Sequence, residues 1–175
     1  MDIYEIMRTR RSVRKYRPDP IPQEVLMRVL DAARIAPSGS NRQPTRFIVV
    51  QDEETKAKLV PLCHDQAFVA TAPALICAVG RNINYNRGEW MGDCAMIVDV
   101  VIAVDHLTLA ARAEGLGTCW IGSFNNAKLK EFFRFPEDVN VVALTPLGYP
   151  DGDPFTDPEG RIPMEEFVMW GGWED

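Results

Sequence analysis

One stretch of the chain predicts a helix that is apolar on every face. It starts at Asp93, a residue type that favours helix N-caps, and ends near Glu114, where Gly115 and Gly117 favour termination. Its apolar residues cover most of the circumference: Met96, Ile97, Val98, Val100, Val101, Ile102, Val104, Leu107 and Leu109. A helix that is apolar all round is buried all round. It would extend roughly 33 Å, which one small chain cannot cover on every side, so the pattern predicts a partner subunit.

Charged residues within that helix exclude a membrane-spanning segment, because Asp99, Asp105, His106 and Arg112 interrupt the apolar run. The net charge of −6 argues against a general nucleic-acid binder, whose charge balance is usually basic. We therefore expect neither a membrane nor a nucleic acid among the partners.

Length and cysteine usage predict one domain, residues 1–175, in the cytoplasm. A chain of 175 residues is within the size of a single domain. Its four cysteines form no C-x-x-C motif, and free thiols are typical of a reducing compartment. The sequence shows no basic start followed by an apolar run, which is the pattern of a secretory signal, so we expect none.

Hydrophobic periodicity and breaker residues predict the remaining elements. Helices are expected over 2–9, from Pro22 to Pro37, over 52–62, over 64–70 and, after an Asn126 cap, over 127–133. Strands are expected over 46–51, 74–79, 118–121 and 139–144.

The C-terminal extension, residues 151–175, is acidic and rich in proline, as disordered ends often are. It also contains large apolar side chains, which water solvates poorly: Phe155, Phe167, Met169, Trp170 and Trp173. These residues favour a segment that wraps over the body of the protein or over a partner chain.

A second notable stretch is the loop Pro37-Ser38-Gly39-Ser40-Asn41-Arg42-Gln43-Pro44. Its hydroxyls and amides both donate and accept hydrogen bonds, and its glycine allows close backbone approach. Such a loop suits the binding of a polar heterocycle. The alternative is an ordinary turn rich in serine and asparagine.

A basic run lies near the N-terminus, with Ser12 inside it: Arg8, Arg10, Arg11, Arg14, Lys15 and Arg17. Arginine binds phosphate oxygens in a bidentate manner, so the run favours a small phosphorylated ligand. A solvated basic turn is the alternative. A nucleic-acid arm is disfavoured, since no aromatic residue is interleaved before Tyr16.

Protein-borne catalytic groups are scarce. Gly115 and Gly117 lack the third glycine of a dinucleotide fingerprint and follow a helix where a strand is required. No serine nucleophile elbow and no cluster of metal ligands is present, and His106 in the apolar helix has the placement of a structural histidine. We therefore expect no catalytic side chain and no metal, and a cofactor that carries the chemistry.

Five motifs, in this order, resemble those of the FMN-dependent nitroreductase family. They are Arg10-Arg11-Ser12-Val13-Arg14, Pro37-Ser38-x-x-Asn41-x-Gln43-Pro44, the long apolar helix, Gly115-x-Gly117-Thr118-Cys119-Trp120-Ile121-Gly122, and Gly148-Tyr149-Pro150. The resemblance implies an α+β fold with a mainly antiparallel sheet flanked by helices. It also implies a homodimer whose interface contains the long helix and two FMN sites, with each tail reaching onto the partner.

The resemblance also implies roles for individual residues. Arg10, Ser12 and Arg14 would hold the FMN phosphate and ribityl chain, with Arg11 close by and Arg161 reaching the phosphate from the tail. The partner subunit would contribute the loop residues Pro37, Ser38, Gly39, Ser40, Asn41 and Gln43. Ile121 and Gly122 would offer backbone groups near the reactive edge of the ring.

The implied reaction is a ping-pong cycle in which NADH or NADPH reduces FMN at N5 and a small acceptor then takes the hydride. Nitroaromatics, quinones and enones are candidate acceptors. Phe68, Tyr85, Trp90 and Phe124 are candidate pocket walls, or else simple core residues. The alternatives are an FMN storage or sensing module, and a reductive dehalogenase or flavin-destroying enzyme on the same fold.

Overall fold

The structure, a computed structural model, describes residues 1–83 and 87–173. Its helices are α1 (Ile3–Thr9), α2 (Gln23–Arg34), α3 (Glu53–Leu59), α4 (Met96–Ala113), α5 (Asn126–Phe133) and α6 (Met164–Phe167). Its strands are β1 (Thr45–Val50), β2 (Ala74–Arg81), β3 (Gly117–Thr118) and β4 (Val139–Gly148). None of the helices in this described part is long and apolar enough to cross a membrane.

The four strands form one sheet in the order β1-β2-β4-β3, and every neighbouring pair is antiparallel. Helices pack on both faces of β2, so its alternate side chains enter two different cores. Leu75, Cys77 and Val79 join one core, while Ala74 and Ile76 join the core that α2 and α4 build. The predicted α+β fold with an antiparallel sheet is confirmed.

Helix α4 packs against α2 and the sheet through buried residues that include Val100, Val104 and Leu107. Its opposite face is left uncovered by the rest of the chain, where Ile97 is 37% and Val101 is 39% exposed. Both the inner and the outer face of α4 thus carry apolar residues, but the rest of the described chain covers only the inner face.

The start of this helix differs from the prediction. Helix α4 begins at Met96, not at Asp93, and the preceding Gly92–Ala95 forms a tighter 3-10 turn. Such turns commonly lead into α-helices. With 18 residues the helix is about 27 Å long, shorter than predicted. It ends as expected, since Gly115 follows with a left-handed φ of 75°.

The cap of α5 also differs from the prediction. Asn125, not Asn126, caps the helix, because its side-chain oxygen accepts the Lys128 N–H at 3.0 Å. The Asn126 side chain instead binds β4, donating to Asn140 Oδ1 and accepting the Val141 N–H, both at 3.0 Å.

Several predicted bounds were wrong in length. The helix over 52–62 ends at Leu59, because Pro61 has no N–H to continue the ladder, and 64–70 holds only the 3-10 turn Ala67–Ala70. The strand over 118–121 reduces to β3 plus an isolated bridge from Ile121 to Leu144. The strands predicted over 74–79 and 139–144 both extend further, to Arg81 and Gly148.

The N-terminal arm, residues 10–17, lies along the edge of the sheet. The Val13 N–H donates to the Thr118 carbonyl at 2.8 Å, and the Arg17 N–H donates to the Tyr149 carbonyl at 2.9 Å. The contact is close enough that a Cβ at Gly117 would lie 2.7 Å from the Val13 Cβ. Glycine at this position lets the basic run dock against β3.

We expect Gly117→Ala to lower the free energy of unfolding by about 1–3 kcal/mol, since the added methyl group overpacks the contact with Val13. Urea denaturation at fixed protein concentration measures the change. The matched control is Gly172→Ala, where an added Cβ meets no atom within 4 Å. Adding Val13→Ala to Gly117→Ala should recover part of the loss, and a Gly117→Ala protein as stable as the wild type would contradict the contact.

Candidate functional site

A cavity of about 560 Å³ lies between the N-terminal arm and the C-terminal tail. The arm contributes Arg10, Arg11 and Ser12. The tail contributes Pro154, Thr156, Asp157, Pro158, Glu159 and Arg161. We call it the arginine cavity. It brings Arg161 to the same place as the predicted phosphate ligands, although 149 residues separate Arg161 from Ser12 in sequence.

Two arginine nitrogens at this cavity are buried without a hydrogen-bond partner among the described residues: Arg10 Nη1 and Arg11 Nη2. The neighbouring Arg11 Nη1 is satisfied, because it donates to the Arg8 and Arg10 carbonyls. An unpaired buried donor costs about 1–3 kcal/mol, and more when charged. A phosphate group supplies several acceptor oxygens at once, so it fits this pair of donors.

Cys119 joins the rest of the basic run to this site. Burial raises the pKa of its thiol, and the charge of Arg14, a hydrogen bond from Ser12 and the charge of Arg10 oppose that rise. Arg14 also stands over the ring of Phe68, with its guanidinium carbon 5.8 Å from the ring centre. Arg14, Ser12 and Arg10 therefore lie near enough to this buried thiol to act on its pKa.

The loop predicted to bind the heterocycle lines a different cavity, of about 400 Å³, between α2, α4 and β1. Pro37, Ser38 and Gln43 contribute to its wall. Ser38 Oγ accepts the Gln43 N–H at 3.0 Å, and the Gln43 side-chain amide donates to the Asn41 carbonyl at 3.1 Å. These bonds close the loop into a compact turn.

Three residues of this loop have a left-handed backbone although none is glycine: Ser40, Asn41 and Gln43, with φ of 49°, 55° and 51°. Non-glycine residues in this region cost of order 1 kcal/mol each and persist where the surroundings fix them. Part of that fixation comes from Asp99 of α4, whose Oδ1 accepts the Gly39 N–H at 3.0 Å.

Sequence reasoning missed Asp99 as a residue of the site. The side chain is only 1% exposed, and it fixes the loop from within the apolar helix. The available signal was an acidic residue among apolar neighbours, which we used only to exclude a membrane span. A buried carboxylate requires polar partners, so it should point to a bound backbone segment.

The two predicted halves of the site line separate cavities in one chain. The arm residues Arg10 and Arg11 line the arginine cavity, whereas Pro37, Ser38 and Gln43 line the cavity between α2, α4 and β1. This separation agrees with an arrangement in which each half faces a different chain.

The role predicted for Ile121 stays a prediction, and the structure shows how its backbone groups are bonded within one chain. Its N–H donates to the Leu144 carbonyl at 2.9 Å, and its carbonyl accepts the Leu144 N–H at 3.1 Å. Both backbone groups are thus engaged, because Ile121 continues the edge pairing beyond β3. Gly122 is exposed, and a Cβ built there would meet no atom within 4 Å, so the position leaves room for a flat ring.

The candidate pocket walls have different environments. Phe68 and Phe124 are half-buried against the core that contains Leu75 and Leu144. Trp90 is 80% exposed, so it is not a core residue of this chain. Tyr85 lies outside the described residues.

The two histidines have hydrogen-bonding roles. His106 is half-buried, and its Nδ1 lies 3.3 Å from the Ala32 carbonyl, as expected of a structural histidine. His64 Nδ1 lies 2.8 Å from Ser123 Oγ, beside Gly122, a contact that nothing in the sequence indicated. In the described part of the chain, no three His, Cys, Asp or Glu side chains are grouped as a metal site would require.

Comparisons with known proteins identify the family of the chain. The model of the nitroreductase family matches residues 7–100 and 65–149. A putative NADH dehydrogenase/NAD(P)H nitroreductase from Methanothermobacter thermautotrophicus is 35% identical, covering 95% of this chain and 88% of the relative. An FMN reductase [NAD(P)H] from Bacillus subtilis is 31% identical, over 94% of this chain and 71% of that protein.

The fold is shared with a nitroreductase family protein from Clostridium novyi NT. Its crystal structure superposes with a TM-score of 0.76 at 34% identity and covers 90% of this chain and 89% of that chain. The chain belongs to the nitroreductase family.

Proposed function

We propose that the protein is an FMN-dependent NAD(P)H oxidoreductase that reduces a small acceptor such as a nitroaromatic, a quinone or an enone. Family membership and relatives named NAD(P)H nitroreductase and FMN reductase support the oxidoreductase class, with FMN and NADH or NADPH as cofactors. The observation that carries the cofactor assignment is the pair of buried arginine nitrogens, which suit a phosphate.

The residues of the arginine cavity divide the binding of FMN between them. Arg10 and Arg11, which line the cavity and each keep one nitrogen without a partner among the described residues, would hold the phosphate, and Arg161 would bind it from the tail. Ser12 and Arg14 lie next along the arm and suit the ribityl chain. When bound, FMN supplies the acceptance and donation of hydride, which no side chain of this site offers.

The surroundings of the ring are built largely from backbone. Gly122 leaves an open surface at the edge of the sheet, and Phe68 and Phe124 are half-buried against the core that contains the neighbouring Ile121. A wall of backbone and aromatic groups accepts flat molecules of varied chemistry, which supports a broad class of acceptors.

A homodimer completes the site in this proposal. The loop from Pro37 to Gln43 of one subunit meets the arm arginines of the other, which explains why they line separate cavities in one chain. Two apolar surfaces suit the interface, because large exposed apolar patches mark association sites. One is the outer face of α4, and the other is the tail, with Ile162, Met164, Phe167, Trp170 and Trp173 exposed.

Anaerobic mixing tests the function directly. The FMN-loaded protein should lose its oxidised-flavin absorbance when NADH or NADPH is added, and the absorbance should return when a quinone or nitroaromatic follows. A protein that binds FMN but keeps it oxidised with both nucleotides would support a storage module instead. A protein that does not bind FMN would contradict the proposed function.

Arg10→Gln and Arg11→Gln should each weaken FMN binding by roughly tenfold, since each removes a charged hydrogen bond to the phosphate. Fluorescence titration with FMN measures the loss. Riboflavin, which lacks the phosphate, should bind these variants as it binds the wild type. Arg28→Gln is the matched control, because Arg28 pairs with Glu114 away from the cavity; an equal loss in this control would contradict the assignment.

Val101→Glu should convert the dimer to a monomer, because it places a charge on the exposed apolar face of α4. Sedimentation should show the change in mass, and FMN binding should weaken with it because the loop and the arm no longer meet. Val101→Thr, of nearly the same shape, is the control that should remain dimeric. A Val101→Glu monomer that holds FMN as tightly as the wild type would contradict the shared site.

A further inference from the structure

Arg112 is a buried arginine that does not line the arginine cavity. It contacts the segment of the tail that forms the outer wall of that cavity. Arg112, in the last turn of α4, is 7% exposed and donates from Nε to Thr9 Oγ1 at 3.0 Å. Its guanidinium carbon stands 4.1 Å from the centre of the Phe155 ring. Arg112 is not among the residues that line the cavity.

Phe155 lies within the part of the tail that closes the cavity. Its neighbours Pro154 and Thr156 both line the cavity, whereas Phe155 does not and stacks against Arg112 instead. Between Asp151, whose N–H donates to the Lys15 carbonyl, and α6, the tail has no regular secondary structure. Side-chain contacts must therefore fix where this wall lies.

A second contact of the wall is weaker. Arg8 Nη1 lies 2.8 Å from Asp157 Oδ2, but both side chains are more than half exposed. Exposed ion pairs contribute little, because water screens them and ordering two long side chains has an entropic cost. A cation–π contact gains strength when the cation is removed from water, as Arg112 is. Of these two side-chain contacts, the buried Arg112–Phe155 pair is therefore the stronger anchor of the wall.

We propose that Arg112 is a positioning residue for the cofactor phosphate. It holds Phe155, and through Phe155 it keeps the wall formed by residues 154–161 closed over the arginine cavity. The wall then slows the release of FMN without contacting the flavin ring. This inference rests on the proposed function, since the ligand it retains is the FMN of that site.

The test measures the rate of FMN release after dilution of the loaded full-length protein, followed by the rise of flavin fluorescence. Phe155→Leu keeps an apolar side chain but removes the ring, and Arg112→Met keeps length but removes the charge. Each should release FMN about tenfold faster than the wild type. The double variant should be no faster than the faster single variant, because both changes remove one interaction.

Two controls isolate the anchor. Arg8→Gln breaks the exposed ion pair with Asp157 at a residue that does not line the cavity, and it should change the rate by less than about twofold. Arg17→Met removes an arginine that stands over Tyr149 at 5.3 Å but lies outside the cavity wall, and it should leave the rate unchanged. Release of riboflavin should be the same in all variants, since the wall acts on the phosphate.

Three results would overturn the proposal. The first is release of FMN from Phe155→Leu at the wild-type rate. If Arg112→Met fails to fold, Phe155→Leu alone tests the proposal. An equal acceleration of riboflavin release would assign the contact to general packing. A wild-type protein that binds no FMN would contradict both the proposed function and this inference. A wild-type protein that binds FMN, with variants that release it at the same rate, would contradict only this inference.

Discussion

The backbone pairing between the N-terminal arm and the edge of the sheet is the interaction on which the site depends. It fixes Val13 to Thr118 and Arg17 to Tyr149, and the tail returns to the same edge through Asp151 and Lys15. Arginine side chains are long and flexible, so they form a defined anion site only when their backbone is fixed. The arm is held against a strand edge that would otherwise present unpaired N–H and carbonyl groups, so the same bonds also cover that edge.

Helix α4 connects the separate parts of the site. Its inner face packs into the core, Asp99 holds the loop from Pro37 to Gln43 in a strained backbone, and Arg112 reaches the tail at its other end. A rigid helix transmits position well, because buried side chains occupy well-defined rotamers in a dense core. The polar residues of this otherwise apolar helix bind other segments: Asp99 accepts the Gly39 N–H of a 3-10 turn, and Arg112 contacts Thr9 of α1 and Phe155 of the tail.

The sequence allowed the prediction of the parts that depend on local pattern and on motifs. The buried strand β2, the helix α2 between two prolines and the family motifs all followed from spacing and residue type. The start of α4 and the cap of α5 were displaced by one to three residues, because a 3-10 turn and a contact between Asn126 and β4 compete with the local capping signal. The roles of Asp99, Arg112 and Phe155 could not be predicted, since each depends on a contact between residues far apart in sequence. The engagement of the Ile121 backbone likewise follows from the register of the sheet, which no local pattern encodes.

The unpaired nitrogens of Arg10 and Arg11 link the binding site to the stability of the fold. Burying a charged donor without a partner is unfavourable, so the arm and the wall lie in a conformation that an anion completes. A ligand that binds only the folded protein adds stability in proportion to the logarithm of its concentration, about 2.7 kcal/mol at one hundred times its Kd. Because the arm pairs with the sheet edge and the wall contacts α4, the added free energy of unfolding would stabilise the sheet, the helix and the tail together. In the proposed function, the donors that would bind the phosphate would therefore also make the cofactor a structural component of the protein.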